Sequence, residues 1–146
     1  LLYVTRAVLP GMVARGRGFV MNIASVGAFV PSPMMATYTA TKAFVLSFTE
    51  AIDAELQGTG VRALCVCPGF TRTEFQDHVH VDTKQVPDMV WMTADQVAGE
   101  AVGAAGRGGV LVNGVMNRAL TTLLKFAPRW VAIRSATMLL KPEGGA

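Results

Sequence analysis

Two short apolar runs on either side of one long helical stretch restrict this chain more than any other feature. Phe19-Val20-Met21-Asn22-Ile23-Ala24 and Val61 to Cys67 are short, apolar and preceded by glycine, so both read as buried strands. Gly18 to Ala24 is the expected extent of the first. Between the runs, about Met34 to Gln57 reads as a helix, closed by Gly58-Thr59-Gly60. Strand, helix, strand makes one crossover unit, whose strands are expected to be parallel and whose connection is expected to be right-handed. The fold class that follows is α/β.

The remaining elements follow from periodicity and punctuation. Leu1 to Arg15 reads as a helix, with Pro10 as a kink and Gly16 as a stop. Thr93-Ala94-Asp95-Gln96 is a capping box. The apolar stripe behind it runs to Ala105 and ends at Gly106, with Gly99 and Gly103 weakening the helix. Val110 to Val112 is a third short strand. From Asn113 the tail reads as two helices broken near Pro128. Leu120, Leu123, Leu124 and Ala127 recur at helical spacing in the first, and Trp130, Val131, Ile133, Met138, Leu139 and Leu140 supply apolar mass to the second.

Chemistry concentrates between Ser25 and Lys42. Ser25 directly follows the first strand, at the carboxyl end where open α/β sheets place ligands. Tyr38 and Lys42 are four apart, so on a helix they share one face, one turn from each other. A unit charge about 5 Å away, in an effective dielectric of about 20, favours a phenolate by roughly 3 kcal/mol. That makes the tyrosine proton mobile and suits it to general acid or base work. After the second strand, Pro68-Gly69-Phe70-Thr71-Arg72-Thr73 places a glycine where backbone can approach a ligand, followed by two hydroxyls.

Composition sets outer bounds. At 146 residues, one domain is expected, and 51% hydrophobic against 16% charged residues makes the chain globular. A net charge of +3 without a Lys/Arg run gives no case for nucleic acid. The two cysteines, Cys65 and Cys67, stand two apart on one strand and share a face; they form neither a disulfide framework nor a zinc pattern, which favours a reduced cytoplasmic setting. His78-x-His80 lacks a matching third or fourth ligand, so solvated loop histidines are expected and no metal. No apolar run is long enough to span a bilayer. In the 34–57 helix, Ala36, Ala40, Ala43, Ser47, Ala51 and Ala54 form a small-residue stripe that suits core packing or a subunit contact equally, while Glu50, Asp53 and Gln57 suggest a wet face.

Taken together, Asn22-Ile23-Ala24-Ser25, Tyr38-x-x-x-Lys42 and Pro68-Gly69-Phe70-Thr71-Arg72-Thr73 resemble the short-chain dehydrogenase/reductase family, in order and in spacing, over Leu1 to about Val112. The resemblance implies the carboxyl-terminal part of a Rossmann-like doubly wound parallel sheet. Residues 1–112 would be a partial domain lacking its first βαβ half, and 113–146 a helical extension of it. It implies a catalytic set of Ser25, Tyr38 and Lys42. Tyr38, Lys42, Pro68, Gly69, Thr71 and Thr73 would meet NAD or NADP. It implies a mobile lid over about Glu74 to Met92. It also implies a homodimer built on the 34–57 helix and the helix before it. The family's catalytic asparagine would fall a few residues before Leu1.

The tail resembles more weakly the branch of hydroxysteroid dehydrogenase-like and long-chain 3-oxoacyl reductases, which implies an acyl or steroid-like substrate and a role in lipid or steroid metabolism. From Arg107 onward there are six basic residues and one acidic one, Glu143. A basic amphipathic tail suits a membrane surface or an anionic substrate, against the plainer expectation of a helical cap with solvated cations.

The family's glycine-rich pyrophosphate turn has no counterpart here. Gly106-Arg107-Gly108-Gly109 precedes a strand instead of following one. With a leading Leu1 in place of methionine, the chain reads as the carboxyl-terminal part of something longer, with one sheet edge left bare and an isolated fragment of poor solubility. The favoured function is interconversion of a secondary alcohol and a ketone. The alternatives are a sugar-nucleotide epimerase or dehydratase, which shares Tyr-x-x-x-Lys, and a non-catalytic dimerisation fragment.

Overall fold

The computed structural model describes residues 1–74, 81–82, 86–139 and 141–142. Its centre is a three-stranded parallel sheet, ordered β1 (Gly18–Ile23), β2 (Val61–Cys67), β6 (Gly109–Val112). Gly18 aligns with Val61 and Ile23 with Val66; Leu64 aligns with Gly109 and Cys67 with Val112. Among the described residues, β1 pairs only with β2, so its outer edge is bare. The crossover helix is α2 (Ala36–Glu55), and α1 (Leu2–Ala14) precedes β1.

The burial follows from strand order. β2 is central and takes helices on both faces, so every residue but Arg62 is buried. Leu46 of α2 meets Ala24, Cys65 and Cys67 on one side, while Ile52 and Leu56 meet Val61 and Ala63. On the other face Leu64 and Val66 pack against Ala101 and Ala104 at the end of α3 (Ala94–Gly103). Cys65 and Cys67 lie on one face as expected, fully buried with their Sγ atoms 3.8 Å apart. The mutual contact, and then burial, pushes the Cys67 thiol well above its ordinary range.

Short pairings tie the loops down. β3 (Thr71–Arg72) runs parallel to β5 (Met92–Thr93), and β4 (Val81–Asp82) antiparallel to β7 (Lys141–Pro142). The capping box forms at the head of α3: Gln96 N–H donates to Thr93 Oγ1 at 3.2 Å and Thr93 N–H to Gln96 Oε1 at 2.9 Å. The tail is α4 (Val115–Phe126) and α5 (Arg129–Leu139), parted at Pro128.

One sequence expectation needs correction. Asp53 is not on a wet face; it is buried at the end of α2. Its carboxylate accepts from Arg62 Nε at 2.9 Å and Nη2 at 2.8 Å, and from Ala63 N–H at 2.8 Å. The Arg62 guanidinium holds it below the usual carboxylate range, against the opposing effect of burial. In α4 the fully buried side chains are polar, and Leu124 is half-buried. Asn117 and Thr121 face inward, while Leu120 and Leu123 are exposed. The inward polar groups are satisfied: Asn117 Nδ2 donates to Asn113 O at 3.0 Å, and Thr121 Oγ1 to Asn117 O at 2.8 Å.

Candidate active site

Ser25 sits just past the carboxyl end of β1 because Ala24 N–H still donates to Val66 O, at 2.7 Å, before the chain turns away. Its Oγ accepts from Gly27 N–H at 3.1 Å and caps a short 3-10 turn over Val26–Ala28. One of its two acceptor lone pairs is therefore occupied by the fold, and its O–H remains able to donate. Val26 N–H donates to Pro68 O at 2.9 Å, so the serine loop and the Pro68–Thr73 loop are stitched together directly above the sheet.

Tyr38 and Lys42 lie in the first two turns of α2 and both are half-buried. The Lys42 ammonium stands 5.7 Å from the centre of the Tyr38 ring and donates to Ile23 O, the last residue of β1, at 3.1 Å. That bond pins the lysine to the same strand end that presents Ser25. Gly27 is where the hydroxyl and the phenol ring meet. A Cβ placed on it would lie 3.5 Å from Ser25 Oγ and 3.6 Å from Tyr38 Cε1. The structure thus brings Ser25, Tyr38 and Lys42 to one end of the sheet.

The Pro68–Thr73 loop is braced from three sides. Thr71 Oγ1 donates to Gly69 O at 3.1 Å, Met92 N–H donates to Phe70 O at 2.9 Å, and the Phe70 and Trp91 rings lie 5.3 Å apart. Gly69 has no room for a side chain, because a Cβ would run into the Asn117 amide. Asn117 also reaches Val90 O at 3.4 Å. It therefore joins the Gly69 turn, the end of β6 and the segment leading into α3. Nothing in the sequence singled Asn117 out, since an asparagine inside an amphipathic helix carries no motif. Asn113, fully buried at the end of β6, supports the same corner: Nδ2 donates to Glu100 Oε2 at 3.2 Å, which also accepts from Gly114 N–H at 3.0 Å.

Beside Gly27 opens a cleft of about 500 Å³, lined by the 27–33 loop, by Ala36, Ala40 and Ala43 of α2, and by Arg129 and Ile133 of α5. The first half of the small-residue stripe thus faces the chain's own tail. Of the expected lid, Glu74, 81–82 and 86–92 are described; Phe75, His78 and His80 lie outside the described residues. Among the described residues no group of three or more His, Cys, Asp or Glu is placed to hold a metal ion.

Comparison with known proteins agrees with this geometry. The family model for short chain dehydrogenases matches residues 1–84. The chain is 36% identical over 131 residues to the 2-(R)-hydroxypropyl-CoM dehydrogenase of Xanthobacter autotrophicus, covering 81% of this chain and 51% of that protein. It is 30% identical over 132 residues to the very-long-chain 3-oxoacyl-CoA reductase of Rattus norvegicus, covering 90% of this chain and 40% of that one. A Burkholderia cenocepacia short chain dehydrogenase, solved in complex with NADP, superposes with a TM-score of 0.69 at 31% identity, over 97% of this chain and 54% of that structure. The chain belongs to the short-chain dehydrogenase family, whose members are oxidoreductases, and its fold is Rossmann-like α/β. It spans about half the length of the curated relatives it matches.

Proposed function

We propose that this chain carries the chemical half of an NAD(P)-dependent oxidoreductase that interconverts a secondary alcohol and a ketone. The observation that carries the reading is the convergence of Ser25 Oγ and the Tyr38 ring on Gly27, with the Lys42 ammonium 5.7 Å from that ring. In reduction, Tyr38 Oη gives its proton to the carbonyl oxygen as negative charge grows there; in oxidation it takes the proton back. Ser25 donates its O–H to the same oxygen and fixes its direction. Lys42 holds a positive charge beside the ring as the proton moves.

The residues present fit the nicotinamide end of a dinucleotide. The Lys42 ammonium has N–H groups beyond the one given to Ile23 O, which suit ribose hydroxyls. Pro68, Gly69, Thr71 and Thr73 offer backbone and hydroxyl groups to a carboxamide. When bound, NAD or NADP would supply or accept hydride. No glycine-rich turn follows a strand in this chain, so the pyrophosphate would be held elsewhere.

The similarity to a very-long-chain 3-oxoacyl-CoA reductase favours an acyl-type carbonyl compound as substrate. Assembly is as a homodimer through α1 and α2. This is supported by exposed Tyr3, Val4 and Phe44 and by an apolar groove between Phe48 and α1.

The test is ketone-dependent oxidation of reduced nicotinamide cofactor by the protein expressed from its whole reading frame. Turnover that falls about a hundred-fold in Ser25→Ala supports the oxidoreductase reading. Dimerisation with no cofactor binding and no turnover would favour a non-catalytic interaction module.

A further inference from the structure

The unusual feature of the tail is that α4 is polar toward the protein and apolar toward water. Its inward face is Asn117 and Thr121, both buried and hydrogen-bonded. Its outward face carries Val115, Leu123 and Phe126, which are 75%, 69% and 85% exposed. Trp130, 67% exposed, follows just past the Pro128 corner at the start of α5. Large apolar side chains this exposed, on consecutive helices, mark a surface made for contact.

Charge says what kind of contact. From Ala101 to Pro142 the chain contains no Asp or Glu. Arg118, Lys125, Arg129 and Arg134 are all exposed on the same two helices, and none has an ion-pair partner among the described residues. Lys125 stands 5.6 Å from the Phe29 ring centre, while Arg118, Arg129 and Arg134 flank the exposed apolar side chains without an acidic partner among the described residues; the fitting complement is a layer that is hydrocarbon below and anionic at its surface. Each cation near such a layer adds attraction on the order of 1 kcal/mol, and tryptophan favours the headgroup level. No described helix is long and apolar enough to cross a bilayer, so the contact would be in the plane of the interface.

We propose that the α4–α5 corner docks this protein on anionic membranes, with Phe126 and Trp130 entering the headgroup layer and the flanking cations meeting lipid phosphates. The inference is independent of the catalytic reading, since none of these residues belongs to the Ser25–Tyr38–Lys42 set.

The test is sedimentation of the whole protein with phosphatidylcholine vesicles containing about a third phosphatidylserine, and with pure phosphatidylcholine. Binding to the anionic vesicles, weakened by salt and reduced about ten-fold or more in Phe126→Ser/Trp130→Ser, is expected. Val102→Ser, which removes an equally exposed apolar side chain on α3, is the matched control and should bind as the parent does. Both variants replace exposed side chains, and circular dichroism melts confirm that they fold. Equal binding to neutral vesicles, or binding unaffected by the double variant, overturns the proposal. So does a double variant that turns a dimer into a monomer while the parent ignores both vesicles; the ridge would then meet a second copy.

Discussion

Removing the charge of Lys42 while keeping its length isolates the electrostatic part of the site. Lys42→Met does this. The ammonium lies 5.7 Å from the Tyr38 ring centre. A unit charge at that range, in an effective dielectric of about 20, interacts with negative charge developing in the site by about 3 kcal/mol. The side chain is half-buried, so solvent screening lowers this toward about 2 kcal/mol. At about 1.4 kcal/mol per tenfold, the expected loss in kcat is roughly thirty- to a hundred-fold. Cofactor affinity is measured separately, by direct titration, because Lys42 is also assigned to the ribose. The informative quantity is kcat at saturating cofactor and ketone. A variant whose kcat stays within about three-fold of the parent would refute the electrostatic role, whatever happens to cofactor binding.

Three further outcomes follow from the geometry. Gly27→Ala meets its neighbours at 3.4–3.6 Å, ordinary contact, so the melting temperature should hold while the added methyl, set between Ser25 and Tyr38, raises KM for the ketone about ten-fold or more; an unchanged KM would mean substrate does not pass Gly27. Gly69→Ala drives a methyl into the Asn117 amide and should destabilise by about 1–3 kcal/mol in a denaturant melt, with part of the loss regained in Gly69→Ala/Asn117→Gly. Asp53 is held below its ordinary range by Arg62, so its contribution is fully present above the unfolded value near pH ~4 and is lost as pH falls from there through the lower folded value; Asp53→Asn should cost about 2–4 kcal/mol at pH 7 and flatten the acid limb of the stability curve.

What could be read from residue order was what depends on short-range repetition. β2 forms over the expected Val61–Cys67, α2 sits within the expected 34–57, and the capping box at Thr93 closes as its spacing requires. Tyr38 and Lys42 share a face because helical geometry alone puts them there. What was misjudged or missed depends on groups that lie outside the element being read. Asp53 looked solvated because Arg62, which buries it, arrives only after the helix has ended and the chain has reversed. The inward place of Asn117 carries no sequence signal, because its partners are backbone groups at Asn113 and Val90, which no periodicity registers. β3 and β5, two residues each, are too short to carry any period.

The central claim is that the Tyr38 hydroxyl carries the proton to and from the substrate oxygen. Its most direct test is the single-turnover rate of Tyr38→Phe in the protein expressed from its whole reading frame, with cofactor and ketone binding verified first. The account predicts intact binding and a rate lowered by about a hundred- to ten-thousand-fold. A Tyr38→Phe protein that turns over within a few-fold of the parent rate would contradict it.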